Sequence, residues 1–155
     1  MDLDEEAHRL RLERLDWVTQ KIGEAGGWQT FPSGDLAATL LAETRRCFVD
    51  GQFLAAVVLG LAFMERVISA HLREAGESDI NYAGGIGLVD EALNRAWISE
   101  NEHAVLDHVR KLRGLIEQGA TEEKAGDLPI TGESLELEAR AILVMVYRLL
   151  SRKSI

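Results

Sequence analysis

An all-α fold, an irregular bundle of about five to six helices, is predicted by three features of this chain. Apolar residues recur at spacings of three and four over long stretches, and glycines and two prolines separate those stretches. No stretch alternates apolar with polar residues as a half-buried strand would, and neither a sustained heptad nor a repeat of roughly 20 to 50 residues occurs.

The elements follow in order. Leu12, Leu15, Val18 and Ile22, spaced by three or four, predict a first helix over 4–22 that Gly23, Gly26 and Gly27 break. Trp28, Phe31 and Pro32 form an apolar-tipped loop, and exposure of the two aromatic residues would mark a partner surface. Ser33 or Asp35 then caps a helix over 35–50, closed by Gly51. The short connection Asp50-Gly51-Gln52 leads into a long helix over 52–75, so these two helices are expected to be antiparallel neighbours. Gly76 ends the long helix, Ser78 to Gly87 is a connector, and a short helix covers 87–96. Ser99-Glu100-Asn101-Glu102 has the form of a capping box and starts a helix that runs to Gln118. Glu117 to Glu138 carries seven acidic residues against Lys124 alone, and its centre, with Gly126, Pro129 and Gly132, is expected to be loop. Thr131 or Ser134 caps the last helix, with Leu137, Ile142, Met145 and Leu149 facing the core and Arg148, Arg152 and Lys153 suiting its negative end.

A chain of 155 residues fits one domain, 1–155, able to bury about two-thirds of its unfolded surface without metals or disulfides. Its net charge of -9 argues against a general nucleic-acid or anionic-membrane surface. Cys47 is the single cysteine, so an intrachain disulfide and a cysteine-rich metal site are excluded, and its apolar setting makes it a buried hydrophobe. The acidic amino terminus lacks the order of a signal peptide, and the longest apolar run falls short of a membrane span, so a cytoplasmic protein is expected.

Phe53 to Met64 is twelve residues without one polar side chain, and Glu65 follows directly. At helical spacing Glu65 shares its stripe with Leu54, Val58, Leu61, Ala62, Ile68 and Leu72, where an ionised carboxylate needs a cationic partner. On the helix that starts at Ser99, the apolar arc of Val105, Leu106, Val109, Leu112 and Ile116 contains Arg113, with Arg110 at its margin and Lys111 outside it. Pairing Glu65 with Arg113 neutralises both, because a planar guanidinium can hold both carboxylate oxygens. Residues alone leave two readings of that pair: a strut that fixes helix packing, or the residue of a polar groove.

The stretch Arg46-Cys47-Phe48-Val49-Asp50-Gly51-Gln52-Phe53-Leu54-Ala55-Ala56-Val57-Val58-Leu59, followed by Glu65, resembles the helix pair of the HEPN clan (higher eukaryote and prokaryote nucleotide-binding), especially its uncharacterised bacterial members. Val109-Arg110-Lys111-Leu112-Arg113 resembles the clan's helix that carries arginine, asparagine, a few residues and histidine, and Glu136 to Leu150 is similar to its closing helix. The resemblance covers about 36–150 and leaves 1–30 outside, a segment free to pack across a subunit boundary. It implies an HEPN-like bundle and a homodimer. In active members the motif arginine and histidine of two subunits meet and cleave RNA without metal. Matched residue by residue, Arg113 takes the place of the arginine and Glu65 that of the upstream acid. Gly114 stands where asparagine is common, and Gln118 or Ala120 stands where the histidine belongs. Glutamine does not shuttle protons near neutral pH, so the resemblance implies a site without its acid or base and with no catalytic residue.

Other candidates carry less. His103 and His108 precede Arg113 but hold no motif position, and both read as solvated or helix-edge residues; His108 lies about 140° from Arg113 around the helix. Gly84-Gly85-Ile86-Gly87 lacks the strand and the Gly-Lys-Ser/Thr ending of a phosphate loop. The four histidines do not share a face with carboxylates, so neither metal nor cofactor is expected. Glu100, Glu102 and His103 read as first-turn charges suited to the helix dipole. Arg45 and Arg46 with Arg110, Lys111 and Arg113 are the one basic cluster, read as solvated helix surface.

The expected function is therefore a non-catalytic binding or regulatory module acting as a homodimer, with a groove organised by Glu65 and Arg113 and edged by Arg110 and Gln118. Its partner is a protein, or less favourably RNA or a nucleotide, and not a membrane. One alternative is a metal-independent ribonuclease or toxin-like protein with a displaced histidine, and another is a structural oligomerisation subunit of a larger complex. Contact between the charges predicts a non-additive cycle: Glu65→Gln or Arg113→Met alone costs several kcal/mol in urea unfolding, and the double variant recovers much of the loss. Additive costs would refute contact.

Overall fold

The apolar run that begins at Phe53 must be covered on several sides, and the other helices of the chain supply the cover. The computed structural model describes residues 2–22, 34–76, 86–118 and 131–150. Its helices are α1 (Leu3–Ile22), α2 (Gly34–Val49), α3 (Phe53–Glu74), α4 (Ile86–Asn94), α5 (Glu100–Glu117) and α6 (Gly132–Leu150), and no strand occurs among the described residues. The expected features at 23–33, the connector up to Gly85, the acidic stretch 119–130, and Arg152 with Lys153 lie outside the described residues.

One hydrophobic cluster draws residues from all six helices. α3 lies at its centre, packed most extensively on α2 and α6 and also on α4 and α5. Over its most apolar stretch α3 is long and apolar enough to cross a membrane, and half of that stretch is buried against its neighbours. Gly60 lets α6 approach closely: a Cβ there would stand 2.6 Å from Ile142 Cγ2 and 3.4 Å from Thr44 Cγ2.

The α2–α3 hairpin closes as a Schellman turn. Gly51, at φ +81°, donates its N–H to Phe48 O at 3.0 Å, and Gln52 donates to Cys47 O at 2.8 Å. α4 ends in the same hydrogen-bond pattern, but with Ala96 at φ +58° in the glycine position. Ala96 N–H reaches Leu93 O and Trp97 N–H reaches Ala92 O, both at 2.9 Å. A left-handed alanine costs about 1–2 kcal/mol, and burial of Trp97 and Ile98 beside it holds the turn.

Both expected N-caps of the later helices form. Ser99 Oγ accepts from Glu102 N–H at 3.1 Å while Glu102 Oε1 accepts from Ser99 N–H at 2.8 Å, completing a capping box. At α6 the cap is Thr131, whose Oγ1 accepts from Ser134 N–H at 3.0 Å. Gly132 and Gly87, expected in loops, lie within the first turns of α6 and α4.

Several facing expectations are corrected. α1 packs on α2 and α6 of its own chain. It turns Arg14 and Val18 inward, while Leu12 and Leu15 are 52% and 46% exposed. The reason is a set of contacts that spacing does not show. Arg14 Nε donates to Val49 O at 2.8 Å, its guanidinium lies 5.5 Å over the Phe53 ring, and Trp17 meets Phe48 at 5.4 Å. Arg140 of α6 covers the same junction, 4.6 Å over Trp17 and 5.2 Å over Phe48. Leu137 is 63% exposed, because the core face of α6 runs through Leu135, Ala139, Ile142 and Val146, and Leu137 projects from the opposite side. Ile116, in the last turn of α5, is 56% exposed, and Leu54, in the first turn of α3, is 41% exposed.

The close approach at Gly60 predicts that Gly60→Ala lowers stability by about 1 kcal/mol, although alanine is the better helix former. Guanidinium unfolding should also find Ile142→Ala less costly in the Gly60→Ala background than alone, since it removes the obstructing methyl group.

Candidate functional site

The two charges singled out on apolar faces meet. Arg113 Nη1 donates to Glu65 Oε1, and Nη2 donates to Glu65 Oε2 at 3.2 Å, a two-pronged contact between α5 and α3. Their side chains are 18% and 14% exposed, so the pair is largely withdrawn from water. The hydrogen bond from Glu65 raises the Arg113 pKa further above its ordinary value; burial opposes this, and the Glu65 and Glu117 charges add to it. The guanidinium is therefore a fixed cation.

Arg110 and Gln118 go elsewhere. Arg110 Nη2 donates to Asp107 one turn back, which holds the Asp107 carboxyl below its ordinary range. Lys111 Nζ lies 3.1 Å from the other oxygen of Asp107. Gln118 is the exposed C-cap of α5, its backbone N–H directed at Gly114 O and Ile116 O. In the proposed basic cluster Arg46 pairs with Glu43, so four of the five cations named from the sequence are met by carboxylates. A phosphate would have to compete with each of them.

The histidines on α5 are not solvated edge residues. His108 Nδ1 lies 2.6 Å from Glu138 Oε1 on α6, with the side chains 18% and 17% exposed. His103 Nε2 lies 2.7 Å from Asp90 Oδ1 on α4. His71, buried near the end of α3, brings Nε2 to 3.3 Å from Leu149 O and stands edge-on to Trp97 at 5.9 Å. Sequence reasoning missed Glu138 and Asp90, and it gave Arg148 only a helix-dipole role. Helical spacing places a side chain on a face but does not say which neighbouring helix that face meets.

Glu102 also does more than suit a dipole. Besides its part in the capping box, its carboxylate accepts from Arg148 of α6, with Nη2 at 2.8 Å from Oε1. Arg148 Nη2 further donates to Trp97 O at 3.2 Å. Burial alone would push the Glu102 carboxyl up, but the Arg148 and Ser99 hydrogen bonds and the Arg148 charge outweigh it and hold the pKa below the ordinary value. A cleft of about 520 Å³ lies here, lined by Ala96, Trp97, Ile98, Ser99, Glu102 and Arg148, none of them the residues expected to form a groove.

Nucleophilic chemistry finds little support. Burial, with Glu43 adding to it, pushes the Cys47 thiol up, and burial pushes the Tyr147 phenol up to about 12 despite Arg45. Among the described residues no three His, Cys, Asp or Glu side chains gather as a metal site would require. Comparison of the chain with protein-family models, with curated proteins and with solved structures finds no match.

The lowered Glu102 pKa sets a sign for acid stability. Its contribution is fully present above the ordinary carboxylate value of about 4.5 and is lost as the pH falls through the lower folded value. Glu102→Gln should therefore be less stable than the native protein at pH 6, and the gap in urea midpoint should close towards pH 3. A gap that does not change with pH would show that the ionised carboxylate is not its source.

Proposed function

We propose that this chain is a non-catalytic binding or regulatory module of HEPN-like design that acts as a homodimer. The fork between Arg113 and Glu65 carries this reading. The arginine that the clan resemblance matches to a catalytic position is committed to an internal carboxylate and is largely withdrawn from water. RNA cleavage would need that guanidinium turned to a phosphate and a proton shuttle beside it. His108, the nearest histidine before it on the helix, is engaged by Glu138. The same arrangement suits a helix pair held in fixed register for recognition.

An interaction role draws further support from the surface. Leu137 and Val144 stand seven residues apart on the outward side of α6, 63% and 44% exposed, and Leu54 and Ile116 add apolar area on α3 and α5. The net charge of -9 favours a protein partner over RNA.

Incubation of the purified protein with total RNA is expected to give no cleavage, with native protein and Arg113→Ala indistinguishable, while sedimentation velocity reports a dimer. Cleavage that disappears in Arg113→Ala would replace this reading with the ribonuclease one, and a monomer at all concentrations would remove the homodimer.

A further inference from the structure

α5 is held differently from α3 and α6, the two long helices it packs on. Three of its residues, Leu106, Val109 and Leu112, are buried, whereas α3 buries eleven and α6 seven. Val105 adds a partly buried apolar contact to the core, and polar contacts reach every neighbouring helix. His103 contacts Asp90 of α4, Arg113 contacts Glu65 of α3, and Glu102 and His108 contact Arg148 and Glu138 of α6.

These two kinds of attachment resist separation unequally. Exposing apolar surface costs free energy in proportion to its area, with nothing in water to offset it. Separated charges and hydrogen-bonding groups regain hydration, so such contacts fix orientation strongly while adding little net adhesion. At the α5–α6 contact the closed state carries an added penalty: His108 Nε2 and Glu138 Oε2 are both buried without a hydrogen-bond partner. Opening would hydrate both atoms. The segment before α5 is suited to bending, because Ala96 is held in the left-handed region by the packing of Trp97 and Ile98, not by its own preference.

We propose that α5 is a strap that opens as a unit from the α3–α6 core while those two helices stay folded. Its polar side-chain contacts act as locating pins that set one closed register, and its short apolar line supplies weak closure. Opening bares the surface of α3 and α6 beneath Leu106, Val109 and Leu112, an apolar groove that is absent in the closed state. Elements with few buried apolar contacts open at lower free energy than the core, which is the behaviour expected of α5.

Native-state hydrogen exchange on the full chain, at fixed pH and low guanidinium, tests this directly. The amides of Leu106, Val109 and Leu112 should exchange through an opening at least tenfold more populated than the one that exposes Val67 and Ile68 of α3 and Met145 of α6. The double variant His108→Leu with Glu138→Leu, which replaces the pins by an apolar contact and removes the two orphaned atoms, should slow exchange in α5 at least tenfold relative to α3. Exchange of α5 in step with α3 and α6 in the native protein would overturn the proposal, whether or not the variant folds. So would a folded double variant with unchanged α5 exchange.

Discussion

The burial of α3 is the constraint that organises this molecule. A 22-residue helix with eleven buried positions cannot stand against water, and α2, α4, α5 and α6 are each placed so as to cover part of it. Gly60 sets how near α6 can come, and the glycine turn at Gly51 brings α2 back along α3 without a spacer. Glu65 interrupts that apolar surface with a charge, and its demand for a cation selects α5 as the helix that lies beside it, through Arg113.

The molecule combines two ways of joining helices. α2, α3 and α6 meet through large apolar surfaces, with α1 added by arginine–aromatic contacts at Trp17, Phe48 and Phe53. α5 meets its neighbours through a short apolar line and four polar side-chain contacts, so its position is specified with less adhesion. With α5 as the proposed strap, a bundle built in this way has a firm centre and a flank that can open.

Much of this was legible in the residues. The six helices, the Ser99 capping box, the hairpin at Gly51 and the burial of Cys47 follow from local patterns, because capping, glycine conformation and apolar spacing act within a few residues. The meeting of Glu65 and Arg113 was also legible, since each charge lay within an apolar arc and an unpaired buried charge is costly. What misled was the orientation of whole helices: Leu12, Leu15 and Leu137 satisfy the apolar spacing yet face water, because a second line of residues on the same helix made better contacts.

By itself, the sequence determined the helical class, the position of most helix ends and the need for one buried cation–carboxylate pair, all consequences of short-range chemistry and of the high cost of an uncompensated charge. Only the tertiary structure decided which partners Arg14, His103, His108, Arg140 and Arg148 would take, and hence that α5 makes polar contacts with α4 and α6 as well as with α3. Long polar side chains on a helix surface have many acceptable partners, and the choice among them is made by the packing of the apolar faces that brings distant helices together.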